Sequence, residues 1–207
     1  MPARFRDRRS AGRELGNLMR ERGVQTDVVL GLPRGGVPVA AEVADALGVG
    51  LDVLVVRKLR VPGRSELAFG AVAGAGVRWL NEDVVRHARL RAQDIEARTT
   101  SERAEVDARE RRYGRGPLSL DGRSVILVDD GIATGATVRA AVECARLLRA
   151  TQVGVAAPIA ATSAVRDLEA VADRVDVLEI RTAFGAVSVL YDDFREVSDE
   201  DVEAILR

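Results

Sequence analysis

Cysteine occurs once among the 207 residues, at position 144, lysine once, at 58, and histidine once, at 87. A lone thiol permits no intrachain disulfide and no multi-cysteine metal site, and Cys144, on the apolar side of an expected helix, reads as a small core residue. His87 lies in a stretch of mixed charge without a partner motif and reads as a surface residue rather than a base or ligand. A one-sided charge is also missing. The formal net charge is −1 and the pI about 6.0, which leaves no global basic field to draw nucleic acid. No apolar run reaches membrane-spanning length, and the start, Met-Pro-Ala-Arg-Phe-Arg-Asp-Arg-Arg, has no apolar core of a leader peptide. A cytoplasmic protein without a membrane partner is expected. Aromatics are few, four Phe, two Tyr and one Trp; Phe184, Tyr191 and Phe194 gather in the tail. With 47% hydrophobic residues, a chain of this length suits one domain over residues 1–207 with a substantial core.

What is present concentrates at residues 125–137, Val-Ile-Leu-Val-Asp-Asp-Gly-Ile-Ala-Thr-Gly-Ala-Thr. Four apolar β-prone residues after the turn Asp121-Gly122 read as a strand buried on both faces. Two carboxylates end it. Small residues follow, then apolar positions 138, 141, 142, 145 and 148 at helical spacing. A Gly, Ala and Thr loop at a helix N-terminus lets backbone N–H groups converge on an anion, where the dipole also favours negative charge. Asp129 and Asp130 would repel a phosphate, so they need another partner: sugar hydroxyls, or a Mg²⁺ held indirectly. A ribose phosphate meets both demands.

The rest of the chain alternates strand and helix. Asp7 or Ser10 caps a first helix ending near Gly23. Asp27 to Leu32 is a strand and Gly35 to Leu47 a helix; Pro33-Arg34-Gly35-Gly36 between them joins unhindered N–H groups to a guanidinium, again anion-friendly. Leu51 to Val56 is a second strand with Arg57 and Lys58 at its end, where a compact ammonium suits an anionic oxygen; solvated charges are the competing reading. Residues 59–67 contain a Pro-Gly turn and no helical period, a mobile-loop candidate, before a strand at 68–73. Trp79 reads as core more readily than as a stacking platform. Residues 81–115 read as charged, solvated helices. Strands at 152–159 and 175–180, a helix at 163–172 and a closing helix capped by Ser198 complete the chain. This order predicts an α/β fold with right-handed crossovers and ligands at the C-terminal strand ends.

The 125–137 passage resembles the phosphoribosyl pyrophosphate (PRPP) motif of the type I phosphoribosyltransferases, and the likeness extends in order over 27–158, less the charged insertion. It implies a mostly parallel five-stranded core sheet flanked by helices (about 24–181, with the insertion at about 81–115) and a small hood from the chain ends (about 1–23 and 182–207). The implied enzyme is a pentosyltransferase that moves 5-phosphoribosyl from Mg²⁺-bound PRPP to a nitrogenous base and releases pyrophosphate. A PRPP-binding regulator without chemistry is the alternative, and a homodimer is an assembly the resemblance allows. By the same resemblance Asp129 and Asp130 hold the ribose hydroxyls and, indirectly, Mg²⁺; Gly131, Ala133, Thr134, Gly135, Ala136 and Thr137 hold the 5′-phosphate. Arg34, Gly35, Arg57 and Lys58 hold pyrophosphate, with Asp129, Asp130, Arg34 and Lys58 the catalytic set. The mobile loop closes over the substrate. Phe184, Tyr191 and Phe194 are candidates for the base face, against a reading in which they pack the tail on the sheet. Two departures stand out. Gly131 replaces an aliphatic residue, and Ala133 replaces the aspartate with which the hypoxanthine-guanine branch handles the purine proton.

Overall fold

The computed structural model describes residues 4–207 except 115, 117 and 183–185, and the side chains of 65 and 66 are also outside the description. Helix α1 (Arg8–Glu21) begins where Asp7 accepts the Ser10 N–H and Ser10 Oγ accepts the Asp7 N–H, a reciprocal cap. Strand β1 (Val28–Gly31), helix α2 (Gly36–Leu47) and strand β2 (Gly50–Val53) follow. Gly48, with φ 68°, stops α2 in the left-handed conformation that glycine tolerates.

The chain then leaves the first sheet. Leu54 and Val55, both buried, carry it into β3 (Val56–Val61), which turns back as β4 (Arg64–Ala73) and pairs with β5 (Arg78–Leu80) in a separate three-stranded antiparallel sheet. This corrects two expectations. The second core strand ends at Val53, so Arg57 and Lys58 lie inside β3 rather than at a core-strand end. Residues 59–67 are hairpin, not open loop: Leu59 and Val61 are buried on either side of exposed Arg60, after half-buried Lys58, up to the turn at Pro62-Gly63. Helices α3 (Glu82–His87) and α4 (Ala92–Arg112) come next. Although α4 is charged, Thr99 and Val106 on it are buried, and Val106 packs with Phe69 and Val72 of β4.

Strand β6 (Ser124–Val128), helix α5 (Ala136–Leu147), strand β7 (Gln152–Ala161), helix α6 (Thr162–Glu169) and strand β8 (Arg174–Arg181) complete the core. Its five strands run parallel in the order β2-β1-β6-β7-β8. Alternation along the strands feeds two layers. Val29, Ile126 and Val128 face α1 and α2, while Leu30, Val125, Leu127 and Val155 face α5 and α6. A 3₁₀ turn (Val187–Leu190) and helix α7 (Asp199–Leu206) end the chain. The two ends meet, since Phe5 N–H donates to Leu190 O at 3.0 Å and Asp192 N–H to Phe5 O at 2.9 Å. No helix among the described residues is long and apolar enough to cross a membrane.

Candidate functional site

The site forms where β1 and β6 end side by side, with Gly31 in register with Val128. Beyond Val128 the chain stays pinned along β7: Asp129 N–H donates to Ala156 O at 3.3 Å, Ile132 N–H to Ile159 O at 2.9 Å, and Ala161 N–H returns to Ile132 O at 2.8 Å. These bonds fix the acid pair and leave Ala133, Thr134 and Ala136 exposed ahead of α5. Gly135, at φ 71°, makes the turn into the helix. The first turn of α5 thus carries unhindered N–H groups at the positive end of its dipole.

The loop after β1 lies directly on this acid pair. A Cβ at Gly35 would stand 2.2 Å from Asp130 Oδ2, so only glycine allows the approach. The Pro33–Arg34 peptide bond is cis. Arg34, Gly35, Asp129 and Asp130 together line a cleft of about 440 Å³ with Arg8, Phe194, Glu196 and Val197. Four of the expected site residues are therefore neighbours. Gly131 is too, in a different sense: a Cβ there would come within 2.5 Å of Val187 Cγ1, so the hood valine fills the space of the missing aliphatic side chain.

Arg57 and Lys58 do not line this cleft. Arg57 donates from Nε to Glu102 Oε2 of α4 at 2.8 Å, and Lys58 lines a second cavity of about 310 Å³ with Arg60, Trp79, Asn81, Arg139 and Ala136. Trp79 packs against the main core. Tyr191 is buried between Phe5 and Phe194, with ring centroids at 5.5 and 5.0 Å, and its hydroxyl donates to Asp130 O at 2.6 Å. It packs the tail rather than offering a ring face. Phe194 does reach the cleft. Phe184 lies outside the described residues.

Arg8 carries no signal in sequence, being one of many arginines at a helix start. It is 9% exposed, donates from Nε to Asp130 Oδ2 at 2.8 Å and from Nη1 to Arg195 O at 2.8 Å, and lies 3.7 Å over the Phe194 ring. Glu196, which closes the cleft from the tail, pairs with Arg34 and was equally invisible. Both contacts join residues more than a hundred positions apart.

The electrostatics follow from this packing. Burial, and then the neighbouring Asp130 charge, push the Asp129 carboxyl well above the usual range, against the Asp130 N–H and Arg8, which pull it down. Burial also raises Asp130, with the Arg8 bond opposing. Tyr191 is raised by burial and by Asp130. Two carboxylates disfavoured as anions suit a ligand that brings hydroxyl donors or a cation. Among the described residues no group of three or more His, Cys, Asp or Glu could hold a metal. Asp129 and Asp130 fit Mg²⁺ only if ligand oxygens and water complete the shell, the usual manner for this ion.

A family model described as the phosphoribosyl transferase domain matches residues 10–195. A Mycobacterium tuberculosis H37Rv protein provisionally named as a phosphoribosyl transferase, Rv0571c, is 47% identical over 204 residues, 98% of this chain and 46% of its own length. The chain thus spans about half the length of the curated relatives it matches. The crystal structure of TT1426 from Thermus thermophilus superposes with a TM-score of 0.89 at 44% identity, covering 98% of this chain and 97% of that one. AQ2163 from Aquifex aeolicus, 12% identical with a TM-score of 0.53 over 89% of this chain and 85% of that one, shares the fold.

Proposed function

Because this chain belongs to the family of phosphoribosyl transferase domains, we propose that it transfers the 5-phosphoribosyl group of PRPP to a nitrogenous base and releases pyrophosphate. The observation that carries the reading is one cleft in which the Arg34-Gly35 loop lies against Asp129 and Asp130 at the entrance to the small-residue loop before α5. Each part answers one part of PRPP. The N–H groups of 133–137 take the 5′-phosphate at the positive helix end. Asp129 and Asp130 accept from the ribose hydroxyls. Arg34, with the unhindered Gly35 N–H, takes the pyrophosphate; Arg57 and Lys58 join it when the β3–β4 hairpin moves toward the cleft.

Catalysis is then electrostatic and positional. The bond from the ribose anomeric carbon to pyrophosphate breaks with its electron pair leaving on oxygen. The acceptor nitrogen forms the new carbon–nitrogen bond with its lone pair and gives up its proton to water or the released pyrophosphate. Arg34 stabilises the leaving charge while the acid pair holds the sugar in line with the acceptor. Mg²⁺, when bound, would neutralise pyrophosphate oxygens, with Asp129 and Asp130 reaching it directly or through water. Closure of the hairpin would exclude water from the reactive sugar. At position 133 a methyl group cannot take a proton, so hypoxanthine and guanine are expected to be poor acceptors.

The test is incubation with PRPP, Mg²⁺ and a panel of adenine, hypoxanthine, guanine and orotate, reading pyrophosphate release. Release with one base, lost in Asp130→Asn, supports the reading. Efficient hypoxanthine or guanine turnover would refute the argument from Ala133. PRPP binding without release on any base would instead assign a PRPP-binding regulator.

A further inference from the structure

We propose that Glu196 selects the acceptor: it accepts a hydrogen bond from an N–H of an uncharged heterocycle, of the adenine kind, and turns away acceptors that carry their own carboxylate, such as orotate. The inference rests on the transferase reading above and adds the substrate class. Three carboxylates line the cleft among the described residues, and they are not equivalent. Asp130 is held by Arg8 at 2.8 Å with its side chain 14% exposed, and Asp129 accepts from the Asp130 N–H at 2.9 Å on the fixed strand end. Both belong to the sugar. Glu196 comes from the opposite side, in the extended tail between the 3₁₀ turn and α7, and its side chain is 79% exposed.

Its backbone is nonetheless anchored on both sides. The carbonyl of Arg195 accepts from Arg8, Val197 is buried, and Ser198 caps α7. A fixed main chain with an exposed side chain is the arrangement of a group that changes partner. The partner in this structure is Arg34, which is also the group placed to hold pyrophosphate. A guanidinium offered two phosphate groups exchanges a single exposed carboxylate for them readily, because surface pairs are weak and bidentate phosphate contacts strong. Once pyrophosphate occupies Arg34 and Asp130 occupies Arg8, both cations lining the cleft among the described residues are taken. Glu196 is then an uncompensated carboxylate beside Phe194 and Val197, on the hood side where the acceptor enters. It rewards an N–H donor and repels an anion.

The experiment compares wild type, Glu196→Gln and Glu196→Lys. Calorimetry with Mg²⁺ and PRPP is run first. The exposed Glu196 leaves the fold intact when changed, and Glu196→Gln should bind PRPP at least as tightly as wild type because Arg34 is freed. In steady-state assays Glu196→Gln should lower kcat/KM for adenine by about 10- to 100-fold, the worth of a hydrogen bond to a charged group. Glu196→Lys should lose adenine turnover and gain on orotate relative to wild type. Unchanged kcat/KM for adenine in Glu196→Gln, or wild-type turnover of orotate equal to that of adenine, would overturn this inference while leaving the transferase reading in place. Failure of the wild type to bind PRPP, or to turn over any base, would overturn that reading and this inference with it.

Discussion

At the residue scale the two adjacent acids differ in what they do to the fold. Burial raises both carboxyls, so between the ordinary carboxylate range and the raised value the folded protein holds protons that the unfolded chain has released. Stability therefore falls as pH rises through that window. Asp129→Asn removes such a group without breaking an ion pair, and should raise the denaturation midpoint at neutral pH, with the gain shrinking toward about pH 4. Thermal melts across that range check it, and a gain that grows on acidification would refute the assignment. Asp130→Asn should go the other way, since it leaves buried Arg8 without its carboxylate, a loss of about 3 kcal/mol. Gly131 offers a second test at this scale. Gly131→Ala pushes a methyl group against Val187 and should destabilise by about 1–3 kcal/mol, with Val187→Ala in the same chain restoring most of it. Additive losses in the pair would show that the hood valine does not fill this space.

Among the elements, β1, α2, β6, α5, β7 and α6 were legible in sequence because each combines a clean period with a punctuating residue: Gly48 after α2, Asp121-Gly122 before β6, Gly135 before α5. The hairpin was legible only in part: its second strand was readable over 68–73, but Arg60 and Arg64 interrupt the apolar pattern around the turn, and a period of two shows only over Lys58 to Val61. The second core strand was drawn too long for a related reason. Leu54 and Val55 are as apolar as the strand before them, and an apolar run alone does not say which sheet it joins. The transferase reading makes a demand on this element, since Lys58 stands outside the cleft. Hydrogen exchange of residues 58–64 should slow when Mg²⁺ and PRPP are added. Exchange unaltered by saturating PRPP would mean that the hairpin stays where it is and that Lys58 does not serve pyrophosphate.

On the scale of the whole molecule, the site depends on chain ends that sequence proximity could not connect. The PRPP-like motif was readable because strand, acid pair, loop and helix are contiguous, and Arg34-Gly35 because it repeats that pattern at the neighbouring strand. Arg8 and Glu196 line the same cleft from opposite ends of the chain, and nothing local distinguishes them from other arginines and glutamates. The two chain ends are thus fastened together over the acid pair, and under the transferase reading the same segment would cover the acceptor. Whether this cleft takes PRPP is most directly measured by titrating Mg²⁺ and PRPP into wild type and into the Asp129→Asn, Asp130→Asn double variant by calorimetry, with circular dichroism as the check on folding. Saturable binding by the wild type and none by a folded double variant is the predicted result. Equal affinity in the two proteins, or no binding by the wild type, would contradict the assignment of residues 129–137 to PRPP.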